Sequence, residues 1–305
     1  MTRATGWCIH AAMTVTEILP IDTSLPSASP DAYVEAMVRR AGTSFFWAMR
    51  RLDEPRRRGV FAVYAFCRDV DDIADGDLPL DRKRALLDAW RQEIEILYGG
   101  ACHHPISCAL VDPSQTFNLK KADFLAVIDG MEMDALPRVR IADLEELTLY
   151  CDRVACAVGR LCVRVFGLGE SEGIRLSADL GQALQLTNIL RDIVEDAARD
   201  RIYLPADMLA DAGAGGDGVE DIITAPGLVS ICETLALKAE KHFAGAEACI
   251  ATCDPKAVRP AVMMMQVYRR ILDKLQRRGW QELNVNVGPS KLEKILIAIR
   301  YGILG

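Results

Sequence analysis

The chain has 305 residues, enough for one large domain or two ordinary ones with a substantial core. Hydrophobic residues make up 50% of it and aromatics only 6%. With few Gly or Pro inside its periodic segments it reads as an all-α protein, and its formal net charge of −7 excludes the basic face that nucleic acids require, so a small or apolar partner is expected.

Residues 1 to 29 close on the Ser- and Pro-rich DTSLPSASP and are expected to be disordered or loosely attached, with a single domain from 30 to 305. Asp31, after Pro30, is the first helix-cap candidate; that helix runs to about Arg40 and stops at Gly42, and SFFWAMRRL gives a short second one. Pro55 opens a central helix, 55 to 76. Within its stretch FAVYAFCRDVDDIAD, residues Phe61, Tyr64, Arg68, Asp71 and Asp75 are spaced 3, 4, 3 and 4, so an apolar stripe runs into acid without changing face. An amphipathic helix over 81 to 98 ends at Gly99 and Gly100. A shorter one over 102 to 111 ends at Asp112 and Pro113, with His103 and His104 read as solvated. KADFLAVIDGMEMD, 121 to 134, is a helix interrupted at Gly130, and a long helix follows from about 142 to 166.

From about 170 to 197 another helix repeats the acidic pattern. Its QLTNILRDIVED places Asn188, Asp192 and Asp196 at i, i+4 and i+8, with Gln185 one turn before. DAGAGGDGVEDIITAP, 211 to 226, reads as a flexible loop; helices over about 227 to 252 and 257 to 278 follow, and a last one covers about 289 to 302. No segment shows strand period, and none reaches the roughly 18 apolar residues of a membrane span. The closing KILIAIRYGILG is a helix that caps the core or lies on a bilayer surface. None of the ten cysteines forms a CxxC pair and most fall at apolar helix positions, so a reducing cytoplasm without disulfides is expected. Cys249, Cys253 and His242 make only an incomplete zinc set.

An unpaired carboxylate on a buried face costs several kcal/mol or takes up a proton, so two such acidic faces demand cations. Carboxylates at i and i+4 lie about 5 to 6 Å apart at Cβ, which suits Mg2+ shared with water and phosphate oxygens. Arg68, Arg191 and Arg201 stand beside the acids and carry the forked donors that phosphate takes. Acid and arginine together suggest a metal and a diphosphate at the mouth of an apolar cavity walled by Phe61, Tyr64, Tyr150, Val154, Val158 and Leu184. That combination fits an isoprenoid diphosphate, whose ionisation leaves an allylic cation that tyrosine faces stabilise and water would quench. Plainer readings stand beside this one. A lone acidic pair is usually a solvated face, Arg68 and Arg191 can serve as structural ion pairs, and Tyr64, Tyr150 and Tyr268 can be ordinary core.

Over roughly residues 35 to 300 the chain closely resembles the squalene and phytoene synthase family of head-to-head prenyl synthases. The resemblance is carried by GTSFFWAMRRL at 42 to 52, YAFCRDVDDIAD at 64 to 75, DGMEMD at 129 to 134, YCDRVACAVG at 150 to 159 and LTNILRDIVEDAARDRIYLP at 186 to 205. It implies an isoprenoid synthase fold, a single helical bundle around a central cavity. Two or three Mg2+ ions are then expected with the substrate diphosphate, held by Asp71, Asp72 and Asp75 from the first motif and by Asn188, Asp192 and Asp196 from the second. Arg68 and Arg191 match diphosphate contacts of the family; Ser44, Tyr64, Tyr150, Gln185, Tyr203 and Tyr268 match positions that line its site. With Arg201, the expected set becomes Asp71, Asp75, Asp192, Asp196, Tyr150 and Tyr268 at the reacting centre. Around the diphosphate stand Ser44, Arg68, Gln185, Asn188, Arg191, Arg201 and Tyr203.

Departures from the family pattern at Ala41, Gly42, Asp152, Cys156 and Ala157 bear on the shape of the prenyl pocket, not on the metal chemistry. FFWAMRRL and YAFCRDVDDIAD are most similar to the bacterial members that make presqualene diphosphate for hopanoids from two farnesyl diphosphates, without NADPH. Phytoene or dehydrosqualene synthesis is the alternative, and a non-catalytic scaffold for later pathway enzymes is a remote one. Cysteine usage, the closing helix and the net charge together give the expectation of a cytoplasmic protein in transient contact with the inner membrane surface or with later pathway enzymes, and no nucleic acid.

Overall fold

The computed structural model describes residues 19–26, 28–42, 46–214, 218–285 and 287–288; Ser44 and the helix expected at 289 to 302 lie outside them. Helix α1 (Pro30–Ala41) starts at Ser29, whose Oγ accepts from Ala32 N, so the cap stands two residues ahead of Asp31. After α2 (Phe46–Met49), Asp53 caps α3 (Glu54–Asp75) by accepting from Arg56 N, with Pro55 in the first turn where its missing N–H is no loss. Then come α4 (Leu80–Tyr98), α5 (Pro105–Thr116), α6 (Lys121–Asp134), β1 (Val139–Arg140) and α7 (Leu144–Cys151). A π-helical turn (Asp152–Cys156) joins α7 to α8 (Ala157–Phe166), and α9 (Glu170–Ala197) follows. The order closes with β2 (Arg201–Ile202), α10 (Ala206–Asp211), α11 (Val219–Ile223), α12 (Leu228–Ile250) and α13 (Pro255–Arg278).

Two hydrophobic cores form. One gathers α1, α3, α4, α5 and α6 around Phe66, whose ring meets Trp90 and Phe124 edge to face at 5.4 and 5.1 Å. The other gathers α7, α9, α12 and α13 around Leu186, Leu235 and Phe243. Helix α8 serves both, with Leu161 and Val165 in the first and Val163 in the second, and it packs on α3 as well as on α9. Val154, on the π turn, is partly buried against both cores and marks the seam between them. Half-buried Tyr64 and Cys67 from α3, Val158 and Cys162 from α8, Leu184 from α9 and Tyr268 from α13 pack along the edges of those cores. The π turn is pinned from two sides. A Cβ on Gly181 would fall 2.7 Å from the Cys156 Cα, and one on Gly130 2.6 Å from Val154 Cγ1, approaches that only glycine admits.

Several local expectations change. The all-helical class gains a parallel pairing of β1 with β2, Val139 beside Arg201 and Arg140 beside Ile202, too short to show a period in sequence. Gly130 does not interrupt α6, because Ile128 and Met131 around it are buried and hold the helix by packing. Likewise α5 runs on through a buried Pro113 to Thr116. His104 is not solvated: it is 3% exposed, and its Nδ1 accepts from Ile106 N at the start of α5. Cys102 and Cys108 form a disulfide against the expectation of none; the helix start brings their Cα atoms to 5.1 Å, and the other described cysteines are free. Within the expected loop at 211 to 226, Val219–Ile223 is helical. From Leu19 the N-terminal segment is held, with Leu19 buried and Asp22 paired to Arg40 at 2.7 Å.

Candidate active site

Helical spacing delivers Arg68, Asp71, Asp72 and Asp75 together at the C-terminal end of α3, an end with no basic residue in its last turn. A helix C-terminus carries partial negative charge, so acids here are unfavourable until a cation meets them. The stripe is buried at Phe61 and opens as it turns acidic, the Asp71 side chain being 46% exposed. These acids therefore make a rim and not a core face. Arg68 bonds Asp72 at 2.5 Å and stands 3.5 Å from Asp71. Burial, then the charge of Asp75, pushes the Asp71 carboxyl up to about 6.

Near the end of α9 the second cluster is more enclosed. Arg191 clamps Asp192 with both arms of its fork, Nε to Oδ1 at 2.7 Å and Nη2 to Oδ2 at 2.5 Å, and the Asp192 side chain is only 28% exposed. Burial alone would lower the Arg191 guanidinium, but its bonds to Asp192, with Tyr268 as a further partner, raise it. Burial and the neighbouring Asp192 push Asp196 up to about 7. One turn back, Asn188 Nδ2 donates to Gln185 Oε1 at 3.3 Å, while the buried Asn188 Oδ1 has no hydrogen-bond partner among the described residues.

Arg201 links what the sequence left apart. Read beside the second motif, it instead donates to Asp75 of the first at 2.6 Å and to the Asp134 carbonyl at 2.9 Å; Arg199 also approaches Asp75, at 3.4 Å. Behind it, Tyr150 and Tyr203 donate to the two carboxylate oxygens of Asp134 at 3.0 and 2.6 Å. Asp134 is the residue to which sequence reasoning gave no role, although its signal was present in the DGMEMD motif. Phe124, Val127, Met131 and Asp134 are spaced 3, 4 and 3, an apolar stripe ending in acid just as on α3. The structure thus joins Arg68 with Asp71 and Asp72, Asp75 with Arg201, Gln185 with Asn188, Arg191 with Asp192 and Tyr268, and Tyr150 with Tyr203.

Among the described residues no three Asp, Glu, His or Cys side chains converge into a metal cage. The donors nevertheless suit Mg2+, which uses one or two carboxylates where phosphate oxygens complete its shell. Carboxyls raised by burial and by their neighbours' charge, two negative helix ends and an orphaned amide oxygen all gain from a hard cation.

Residues 38–293 match the squalene/phytoene synthase family. The chain is 45% identical to presqualene diphosphate synthase of Sinorhizobium fredii over 264 residues, covering 86% of this chain and 94% of that protein. Identity to the presqualene diphosphate synthase of Rhodopseudomonas palustris is also 45%, with the same coverage. A chloroplastic phytoene synthase of Narcissus pseudonarcissus is more distant, at 32% over 93% of this chain and 69% of that protein. In three dimensions the chain superposes on a dehydrosqualene synthase solved in complex with ligand, with TM-score 0.76 and 26% identity over 90% of this chain and 95% of that one. It also superposes on squalene synthase HpnC from Alicyclobacillus acidocaldarius, with TM-score 0.74 and 27% identity over 88% and 99% of the two chains.

Proposed function

The chain belongs to the squalene/phytoene synthase family, and on that footing we propose that it joins two farnesyl diphosphates head to head into presqualene diphosphate, releasing inorganic diphosphate. The observation that carries this reading is the pair of acidic helix ends on α3 and α9, each held by its own arginine, in a bundle whose two cores meet along an apolar seam. Greater likeness to presqualene diphosphate synthases than to a phytoene synthase supports the choice of product.

In this reading Asp71, Asp72 and Asp75 on one side, and Asn188, Asp192 and Asp196 on the other, hold two or three Mg2+ ions with the substrate diphosphate. Bound magnesium supplies the positive charge that stabilises a departing diphosphate. Arg68 and Arg191 exchange a carboxylate for phosphate oxygens, at little cost because both anions take the same guanidinium fork. Ser44, Gln185 and Arg201 complete the donors, and Tyr203, whose hydroxyl hydrogen goes to Asp134, stands behind them. The prenyl chains lie along the seam beside Tyr64, Cys67, Val158, Cys162 and Leu184, which keep water from the reacting carbons.

The C1–O bond of one substrate breaks and its electron pair leaves with the diphosphate. The C2–C3 double bond of the second substrate then attacks that C1, and loss of a proton from the same carbon closes the cyclopropane. Tyr150 and Tyr268 offer oxygen lone pairs and ring faces to the positive charge. No electrons are gained, so NADPH is not consumed. Among the described residues no helix is long and apolar enough to cross a membrane. We read the enzyme as cytoplasmic, in transient contact with the inner membrane surface or with the enzymes that take its amphiphilic product.

The test is incubation of the purified protein with Mg2+ and farnesyl diphosphate, with and without NADPH. One diphosphate released per cyclopropyl C30 diphosphate formed is expected, unchanged by NADPH. No release would favour a scaffold, and preferential C40 synthesis from geranylgeranyl diphosphate would favour a phytoene synthase.

A further inference from the structure

Asp134 ends α6 as a buried residue, 8% exposed, and no ion pair reaches its carboxylate among the described residues. Such a burial is costly, and an amide or an apolar residue of the same size would avoid it. What the carboxylate receives is two phenol hydrogens, from Tyr150 and Tyr203, whose rings stack at 4.8 Å and 24°. Arg201 ties this trio to the acidic rim, bonding the Asp134 carbonyl with one nitrogen and Asp75 with another. From Tyr150 the chain passes directly into the π turn that carries Val154 to the seam.

We propose that Asp134 is a positioning residue that fixes the orientation of Tyr150 and Tyr203 and supplies negative charge behind them, an inference that rests on the prenyl-transfer reading above. With both hydroxyl hydrogens committed to Asp134, the tyrosine oxygens turn lone pairs, not protons, toward a developing carbocation. Donation to a carboxylate also makes each phenol ring richer in electrons, which strengthens its attraction for a cation. Because the three groups are already bonded to one another, no dipole has to reorient when the charge appears. A purely architectural alternative exists, in which Asp134 latches α6 to α7 and β2. That role would lower stability and leave the turnover of folded enzyme unchanged.

Asp134→Asn separates the two, since the amide keeps the shape and one acceptor but loses the charge and the second acceptor. With Mg2+ and farnesyl diphosphate, kcat per folded molecule should fall by about 10- to 100-fold with KM within about threefold of wild type. The share of farnesol, formed when water captures a poorly held cation, should rise against presqualene diphosphate. Should Asp134→Asn fail to fold by circular dichroism, Tyr203→Phe, which removes a single donor, carries the test, with an expected loss of about 3- to 10-fold in kcat at unchanged KM. Turnover and product ratio equal to wild type in the folded variant would overturn the proposal. Wild-type protein that releases no diphosphate would instead overturn the functional reading, and this inference with it.

Discussion

The ends of α3 and α9 carry the same kinds of residue, two or three acids and an arginine on one helical face, yet the structure holds them differently. On α3 the acids are about half exposed, and their countercharges come from two places: Arg68 on the same helix and Arg201 from a strand 126 positions away. On α9 the acid is more enclosed and its arginine is the adjacent residue, gripping with both nitrogens. The first cluster is thus a junction whose geometry depends on the tertiary fold, whereas the second is a local unit preformed by one helix. In the proposed reaction the α9 cluster is the fixed half of the ion-binding site and the α3 cluster the half that admits substrate.

Removing an acid from each side tests that asymmetry most strongly. Asp192→Ala should lower kcat by ~10³-fold and Asp71→Ala by ~10²-fold, each with the far-ultraviolet spectrum of a folded helical protein; equal or near-normal turnover in the pair would break the comparison. Arg201→Ala should come next, costing roughly 10- to 30-fold in kcat, because it unties Asp75 from Asp134 and removes a positive charge that also acts on Asp196. Arg68→Gln is expected to be milder, raising KM for farnesyl diphosphate about 3- to 10-fold, since an exposed ion pair contributes little. A calorimetric Kd for inorganic diphosphate with Mg2+ should weaken in both arginine variants.

The smallest effect is on stability against pH. Burial raises Asp69, Asp71 and Asp134 to about 6 and Asp196 to about 7, from an ordinary value of 3.8. Between those values the folded chain binds more protons than the unfolded one, so these groups make stability fall as pH rises from about 4 to 7 and change nothing further above that. His104, lowered from 6.5 by burial, acts in the opposite sense, as do the lowered carboxyls of Asp22, Asp53, Glu93 and Glu170, whose effect lies mainly below their ordinary values of 3.8 and 4.5. Metal-free protein should therefore melt a few degrees higher at about pH 5 than at about pH 7.5. Asp196→Asn should flatten that slope more than Asp71→Asn, because its carboxyl is raised further.

How far the sequence could be read follows from the reach of each interaction. Phe61 to Asp75 share a face because 3.6 residues make a turn, and the same arithmetic unites Asn188, Asp192 and Asp196, so both clusters were legible. Arg201 was visible as a residue beside acids, but not which acids. Asp134 was visible as an acid ending an apolar stripe, but not its two tyrosines, which lie 16 and 69 positions away. Cys102 and Cys108 form a disulfide, although free buried thiols were the better reading of composition. His104 is buried because Glu93 accepts from its backbone N–H and from Ser107 Oγ, partners no local pattern announces.

Periodicity and composition by themselves determined the helical class and the two acidic faces, and the motifs between 42 and 205 carried the kinship of the chain, because each of these is written in short local stretches of sequence. Tertiary structure alone decided that α8 would serve two cores, that β2 would carry Arg201 to the opposite acid and that a buried carboxylate would gather two tyrosines. Those contacts join segments far apart in the chain, and their energies depend on burial and on distances that exist only after the helices have packed.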